Sequence, residues 1–137
     1  MIRKSSALII NNNKMLVVKK KKNPTHYILP GGKIENSETP LDALKRELNE
    51  EINLNTVDND FDFLGIFYTN SQFENSQLET YLFHLNNKKI NGEIIIGREI
   101  GSYEWISLDD GQRSDLSSGI TEFAIKEALK IGNKNDE

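Results

Sequence analysis

Residues 32–54 read GKIENSETPLDALKRELNEEINL and gather three acids, Glu47, Glu50 and Glu51, within one helical segment. On a helix, Glu47 faces both Glu50 and Glu51, because residues three and four apart lie on one side. Like charges at these spacings repel by roughly 0.2–0.5 kcal/mol per pair, so the two pairs together cost about 0.5–1 kcal/mol. A local rule broken in this way is typical of a functional position.

Two interpretations of this acid cluster stay open. Clusters rich in oxygen bind Mg²⁺, commonly together with substrate phosphates. The alternative is a solvated acidic helix face, which the carboxylates alone slightly favour.

The apolar residues of the same segment weaken that alternative. One stripe at helical spacing comprises Leu41, Leu44, Leu48 and Ile52. At about 100° per residue, Glu47 and Glu51 fall beside the stripe and Glu50 lies further round. We therefore expect two carboxylates at the edge of the core, where without a cation at least one has a raised pKa. Thr39 can cap this helix, Pro40 suits its first position and Asp42 completes a capping box.

The whole pattern resembles the Nudix box of the Nudix hydrolases. It runs Gly32, five residues, Glu38, seven residues, then Arg46-Glu47-Leu48-x-Glu50-Glu51-x-x-Leu54. The flanking Leu29-Pro30-Gly31-Gly32, Lys33-Ile34-Glu35 and Glu38-Thr39-Pro40 resemble the MutT-like branch. The resemblance implies a Nudix-type α/β/α sandwich, an α/β fold with a mixed β-sheet between helices.

Two positions depart from the family pattern. Asn53 stands where the family has glycine, and asparagine is the usual second choice for a left-handed helix end. Ser37 stands where MutT-like sequences often carry glycine. Neither change removes a carboxylate, so the catalytic prediction is unaffected.

The resemblance implies a metal-binding role for several residues. Glu47 and Glu51 match positions that hold Mg²⁺, and Glu50 matches a further ligand or a nearby supporting acid. Gly31 matches a glycine whose backbone carbonyl approaches the metal, which the lack of a side chain permits. Glu99, six residues before Trp105, resembles an additional metal ligand or general base of MutT-like proteins.

Other interpretations of that additional acid are kept. Glu79 and Glu104 are weaker alternatives to Glu99, and any glutamate in a loop can simply be solvated. In the box itself, Arg46 matches an arginine that holds acidic side chains, and within a helix it can reach Glu50 and Asp42. Its alternative role is a surface ion pair worth under about 1 kcal/mol. Glu38 matches a box acid that is more often structural than catalytic.

We call Leu29-Pro30-Gly31-Gly32 the glycine loop. Tyr27 and Lys33, beside this loop, are the predicted substrate-binding residues. Tyr27, Phe67, Tyr68 and Phe73 can stack on a base, although each aromatic is also a candidate core residue, and Tyr27 is favoured. The basic run Lys19–Lys22 is interpreted as a solvated strand edge that discourages aggregation. Its alternative role is to attract a phosphate chain.

The remaining sequence fits one domain over residues 1–137. Ala7–Ile10 and Met15–Val18 flank three asparagines and predict a hairpin. Further strands are expected near 61–69, 78–85 and 102–106, with a shorter one near 93–97. A second helix is predicted from about Gly119 to Ile131, with core positions including Leu129 and with Gly132 as its cap.

Composition excludes several classes of protein. The absence of cysteine excludes disulfides, thiolate metal sites and cysteine nucleophiles, and it argues against the related isopentenyl-diphosphate isomerases. The net charge of −4 disfavours nonspecific nucleic-acid binding. Without a signal peptide or membrane-spanning run, we expect a cytoplasmic monomer or homodimer with no nucleic-acid or membrane partner.

These residues predict Mg²⁺-dependent hydrolysis of a nucleoside diphosphate linked to a group X, with Mn²⁺ as a substitute. Candidate substrates are ordinary or oxidised nucleoside triphosphates, with ADP-ribose, dinucleoside polyphosphates and nucleotide sugars left open. The competing hypothesis is a Nudix-like sensor that binds nucleotides without hydrolysing them. A structural interaction domain is a third hypothesis, and it leaves the repulsive acid cluster unexplained.

Overall fold

The computed structural model describes residues 1–70, 75–86, 90 and 93–135. The described strands are β1 (Ile2–Leu8), β2 (Ile10–Asn11), β3 (Lys14–Lys20), β4 (Gly31–Lys33), β5 (Phe61–Asn70), β6 (Gln77–Leu85) and β7 (Ile100–Ser107). The α-helices are α1 (Pro40–Ile52) and α2 (Ile125–Asn135), and a π-helical turn, Ile120–Ala124, leads into α2. A 3₁₀ turn, Asp58–Asp60, precedes β5.

The strands form two sheets. The first is mixed, with the order β4-β1-β6-β5, and β1 runs parallel to β6 but antiparallel to β4. The second is antiparallel, with the order β2-β3-β7. The predicted mixed α/β architecture is therefore confirmed.

Alternating side chains place a core on each face of these sheets. Ala7 and Leu16 pack in one cluster with Leu44 and Leu48 of α1. The neighbouring residues of the same strands, Leu8 and Val17 among them, pack in the other cluster with residues of the α2 region. Successive side chains of a strand point to opposite faces, so the sheets lie between two helical layers, as the α/β/α prediction requires.

The predicted asparagine hairpin is confirmed between β2 and β3. Asn12 and Asn13 have φ angles of 53° and 61°, which is the left-handed pair of a type I′ turn. Ile10 pairs with Met15 beside the turn. Ala7 belongs to the other sheet, where its N–H donates to the Pro30 carbonyl at 2.9 Å.

The strands predicted near 61–69, 78–85 and 102–106 are confirmed, but the strand near 93–97 is wrong. That segment is not paired as a strand with any described strand, and its backbone hydrogen-bonds to the end of α1. The Gly97 N–H donates to the Glu51 carbonyl at 2.7 Å, and the Asn53 amide donates to the Ile95 carbonyl at 2.9 Å. We call residues 93–97 the α1-docked loop.

The second predicted helix is present, but its predicted end is wrong. Helix α2 continues through Gly132 to Asn135, so Gly132 is an interior residue and not a cap. Leu129, predicted to face the core, is 40% exposed. In the described part of the chain, no helix has the length and apolar character needed to cross a membrane.

Candidate active site

The acids of the site are held on α1, whose two ends are fixed by local contacts. At the start, the Thr39 hydroxyl accepts from the Asp42 N–H at 3.1 Å, and the reciprocal contact completes the predicted capping box. At the end, Asn53 adopts the left-handed conformation with φ 54°, as predicted. Ser37 also has a positive φ, 71°, so it keeps the conformation that suits glycine.

Glu51 is the most buried of the acids, with its side chain only 4% exposed. Its Oε1 accepts from the Gly31 N–H at 2.9 Å. Its Oε2 is buried and has no hydrogen-bond partner, and the Lys20 Nζ lies 3.9 Å away. Burial raises the pKa of Glu51 to about 7, and the Gly31 hydrogen bond opposes this shift.

Glu47 lies against the backbone of the glycine loop. A Cβ added at Gly32 would lie 2.3 Å from the Glu47 Cδ, so only glycine leaves room for this carboxyl group. The Glu47 side chain is 15% exposed, and burial raises its pKa while the Arg46 hydrogen bond acts against that rise. Glu50 is 57% exposed, so the predicted ordering of the three acids around the helix is confirmed.

Arg46 links the acids of the box. Its Nε and one terminal nitrogen donate to the two carboxylate oxygens of Glu38 at 2.7 and 3.0 Å. Its other terminal nitrogen lies 2.8 Å from Glu47 and 3.5 Å from Glu50. These hydrogen bonds from Arg46 lower the pKa of Glu38 to about 2. The predicted contact of Arg46 with Asp42 is not formed, and Asp42 lies instead 3.8 Å from the Lys45 Nζ.

The glycine loop is built for close approach to β1. Gly31 has a φ of 141°, and a Cβ there would lie 2.0 Å from the Ser5 carbonyl oxygen. A side chain at this position would push the loop away from β1 and away from Glu51. In the structure the Gly31 N–H donates to Glu51, while the metal-binding role of the Gly31 carbonyl stays a prediction.

The buried acids fit a hard divalent cation. A bound cation would give the unpaired Glu51 Oε2 a partner and would favour the ionised form of the two carboxyl groups whose pKa is raised. The glycine backbone beside them leaves space for the ion. Within the described ranges, no group of three or more carboxylate and histidine residues is already arranged around one point. A cation at Glu47 and Glu51 therefore needs further oxygen ligands from water, substrate or rearranged side chains.

A cleft lies over the first sheet, on the face opposite α1, and its lining includes Gly32, which lies against Glu47, and Lys20, whose Nζ lies 3.9 Å from Glu51. Its volume is about 830 Å³, including the part open to solvent. Cationic lining residues are Lys4, Lys20 and Lys33, and hydroxyl-bearing ones are Ser6, Thr69, Thr80, Ser117 and Ser118. The apolar walls include Ile2, Leu78 and Phe123. We call this the sheet cleft.

Lys4 is a site residue that sequence reasoning missed, whereas Lys20 belongs to the run Lys19–Lys22, whose alternative role is to attract a phosphate chain. Lys4 pairs in register with Lys33, and burial lowers the pKa of Lys4, with the charge of Lys20 acting in the same direction. The run Lys19–Lys22 was interpreted mainly as a solvated edge, but Lys20 lies at the acids and Lys19 lies over the Tyr27 ring. The position of Lys20 just before the glycine loop was the available signal.

The structure does not bring Glu99 to the other acids. Glu99 is exposed, its carbonyl accepts from the Lys21 N–H, and no contact among the described residues joins its carboxylate to Glu47 or Glu51. The weaker alternatives are occupied elsewhere, because Glu104 pairs with Arg113 and Glu79 with Arg3. The role predicted for Glu99 stays a prediction.

Tyr27 is placed in the core, which was its alternative interpretation. It is 8% exposed, and Lys19 and Arg113 lie over its ring, so a base can stack there only after these cations move. Phe67 stacks on Phe123 with ring centroids 4.6 Å apart. Tyr68 is exposed and donates to Glu79, and Phe73 lies outside the described residues. Lys33 lines the sheet cleft, consistent with its predicted place at a substrate.

Comparisons with known proteins agree with this architecture. The profile of the NUDIX domain matches residues 1–124. The 8-oxo-dGTP diphosphatase of Haemophilus influenzae is 39% identical over 87 residues, which cover 61% of this chain and 58% of that protein. The chain thus matches somewhat over half the length of that relative.

Solved structures show the same fold. The MutT NUDIX hydrolase from Burkholderia pseudomallei superposes with a TM-score of 0.73 at 20% identity, covering 91% of this chain and 95% of that one. The MutT protein from Methanosarcina mazei superposes with a TM-score of 0.73 at 20% identity, covering 96% of this chain and 94% of that one. An Ap4A hydrolase from C. elegans superposes with a TM-score of 0.71 at 16% identity, covering 97% of this chain and 99% of that one. Because the profile match spans residues 1–124, the chain belongs to the NUDIX domain family.

Proposed function

We propose that this protein hydrolyses the phosphoanhydride bond of nucleoside diphosphate derivatives with the help of a divalent cation. The observation that carries the proposal is the buried Glu51 carboxylate, whose Oε2 has no hydrogen-bond partner and lies 3.9 Å from the Nζ of Lys20, a residue that also lines the sheet cleft. Membership of the NUDIX family supports the same reaction class. The proposed working form is one domain over residues 1–137, as a monomer or homodimer in the cytoplasm.

The proposed cofactor is Mg²⁺, with Mn²⁺ as a substitute. Glu47 and Glu51 would hold it, with Glu50, Glu99 and the Gly31 carbonyl as further candidate ligands. Such an ion neutralises phosphate charge and lowers the pKa of a water that it holds. Oxygen ligands of this kind suit both ions, and the described residues contain no cysteine or histidine that would favour a softer metal at this position.

The protein's own residues then have separate tasks. Lys4, Lys20 and Lys33 neutralise the phosphate chain in the sheet cleft, where partial exclusion of water strengthens each attraction. Arg46 keeps Glu38 and Glu47 in one fixed arrangement. A deprotonated carboxylate of the cluster accepts the proton of the attacking water as the phosphorus–oxygen bond to the leaving phosphate breaks.

The products are a nucleoside monophosphate and the phosphorylated group X, or pyrophosphate when the substrate is a nucleoside triphosphate. Nucleoside triphosphates, oxidised ones first, are the leading proposed class, because the Haemophilus influenzae relative is named for 8-oxo-dGTP. ADP-ribose, dinucleoside polyphosphates and nucleotide sugars complete the candidate set, since the roles proposed for the box residues concern the diphosphate and say little about X. No nucleic-acid or membrane partner is proposed.

A substrate panel tests this proposal. Wild-type protein with Mg²⁺ should hydrolyse at least one of these compounds to a monophosphate, whereas Glu51→Gln should lose about 100-fold or more in kcat. Glu127→Gln is the matched control, because it makes the same chemical change on α2, where Glu127 pairs with Lys130 at 2.8 Å.

Two outcomes would contradict the proposal. Tight nucleotide binding by the wild type without turnover of any compound indicates a sensor. Equal turnover by wild type and Glu51→Gln removes Glu51 from the catalytic account. The presence of Glu38, Glu47, Glu50 and Glu51 together disfavours the sensor.

A further inference from the structure

The sheet cleft has a cationic end and an uncharged end, set by strand order. At the cationic end, Gly32 and Lys33 of β4 lie beside Lys4 of β1, which pairs in register with Lys33. On the other side of β1, Lys4 pairs with Thr80 of β6, and the cleft continues over that strand. The charge needed to hold phosphates is therefore confined to β4, β1 and the neighbouring Lys20.

At the uncharged end the cleft reaches β5. Thr69 of β5 pairs in register with Leu78 of β6, and both side chains line the cleft together with Phe123. Thr69 and the glycine loop are separated by three strand spacings, which is about 14 Å at 4.7–4.9 Å per strand. This span matches a nucleotide laid across the sheet, with phosphates at the lysines and the base over β6 and β5.

The Thr69 side chain is unusual within this uncharged end. Thr69 is only 6% exposed, and its buried hydroxyl has no hydrogen-bond partner. The nearby Ser118 hydroxyl is satisfied, because it donates to the Asn70 carbonyl at 2.9 Å. A buried hydroxyl without a partner is destabilising, and a valine of the same shape would avoid the cost. Because Thr69 lines the cleft, a ligand bound there is the candidate partner for this hydroxyl.

We infer that the Thr69 hydroxyl hydrogen-bonds the nucleobase of the substrate and sets the preference among bases. This inference rests on the proposed function, since it assigns the base end of the same site. A hydroxyl can donate and accept, so it pairs with a polar base edge, and a base without a matching group leaves it unpaired. Sites that hydrogen-bond a polar group in this way discriminate against ligands that lack it.

Binding of product-like monophosphates tests the inference without requiring turnover. Calorimetry in EDTA would compare the monophosphates of the four common bases and of 8-oxoguanine with ribose 5-phosphate, which lacks a base. Thr69→Val should weaken the preferred monophosphate by about three- to tenfold and leave ribose 5-phosphate unchanged. Thr69→Ser, which keeps a hydroxyl, should retain the wild-type order of bases.

Thr56→Val is the matched control. The Thr56 hydroxyl is also buried without a partner, but Thr56 does not line the cleft. Both valine variants should raise the unfolding midpoint without nucleotide, whereas only Thr69→Val should change base preference.

The inference is overturned by any of three results: equal weakening of all monophosphates and ribose 5-phosphate, an unchanged base order in Thr69→Val, or no monophosphate binding. Turnover of the substrate panel is read separately. A hydrolase whose base order ignores Thr69 would therefore refute this inference and leave the proposed function intact.

Discussion

Gly32 provides the space that the Glu47 carboxyl group occupies: a Cβ at residue 32 would lie 2.3 Å from the Glu47 Cδ. The added Cβ would also lie 2.6 Å from each Glu47 carboxylate oxygen, so the whole carboxyl group lies against the Gly32 backbone. Because the contact atom belongs to a functional side chain, a substitution at Gly32 acts on the proposed metal site before it acts on the fold.

Gly32→Ala should displace the Glu47 carboxylate and lower kcat/KM by about 10–100-fold, since misplaced supporting groups cost metal sites that much. The measurement is a Mg²⁺ titration of activity, in which the variant should need more metal. Gly101→Ala is the control, because a Cβ there meets its nearest atom at an ordinary 3.6 Å. Wild-type metal dependence in Gly32→Ala would contradict the proposed position of Glu47.

The pH dependence of stability in EDTA follows from Glu51. Its pKa is about 7 in the folded protein against an ordinary 4.5, so the folded state binds the proton more tightly. Stability from this group is therefore complete below about pH 4.5 and is lost as pH rises through about 7. The loss is on the order of 3 kcal/mol, measurable by urea unfolding across that range.

Glu51→Gln should flatten this dependence, leaving the smaller slope that comes from the raised pKa of Glu47. At pH 8 without metal, the glutamine variant should be more stable than the wild type, because a buried charge has been removed. Identical slopes in the two proteins would show that Glu51 is ionised throughout and that its burial has little electrostatic effect.

Arg46→Lys should weaken metal affinity or kcat by about tenfold or more, because lysine cannot make the two-pronged contact with Glu38 and also hold Glu47. Arg113→Lys is the matched control, since Arg113 makes a similar two-pronged contact with Glu104 outside the acid helix. Both variants should lose stability, but only Arg46→Lys should shift the Mg²⁺ titration. The same shift in both variants would reduce Arg46 to a structural ion pair.

Lys4→Met should raise KM for polyphosphate substrates about tenfold, because a cation facing the phosphate chain contributes about 1.4 kcal/mol or more in a partly dehydrated cleft. Lys14→Met removes the same charge from the exposed hairpin and serves as the control. Steady-state kinetics at two ionic strengths would distinguish a direct contact between Lys4 and the phosphates from long-range attraction, because salt screens the long-range part more strongly. A shared change in KM would mean that only net charge matters.

Gly132→Ala should stabilise the protein by about 0.5–1 kcal/mol, because Gly132 lies inside α2 and alanine is the better helix former. Nothing lies within 4 Å of the added Cβ, so the change creates no clash. Urea unfolding measures the difference, with Gly111→Ala as a contrasting variant whose Cβ would meet Ile125 at 3.1 Å. Destabilisation by Gly132→Ala would show that the helix ends before this residue.

Helix α1, which carries the acids, could be predicted because the sequence signals that specify it come from nearby residues. Apolar spacing placed Glu47 and Glu51 at the core edge, and the caps at Thr39 and Asn53 depend on neighbours a few residues away. The raised pKa of buried carboxylates followed from the same geometry. The family pattern supplied the sandwich, which periodicity alone left as a mixed sheet with helices.

The sheet cleft was not predictable in the same way. Lys4 meets the site because it pairs with Lys33, and Thr69 reaches the cleft through the pairing of distant strands. Register between strands far apart in sequence has no local signature. The α1-docked loop was mistaken for a strand because its hydrogen-bond partners are the Glu51 carbonyl and the Asn53 side chain, which apolar patterning does not reveal.

That loop also limits how the protein can diverge. A Cβ at Gly97 would lie 1.9 Å from the Glu50 carbonyl oxygen, so the backbone of the loop packs directly against the backbone of the acid-bearing helix. Lengthening the chain between Gly97 and Ile100 would therefore shift the end of α1 and, with it, the proposed metal site.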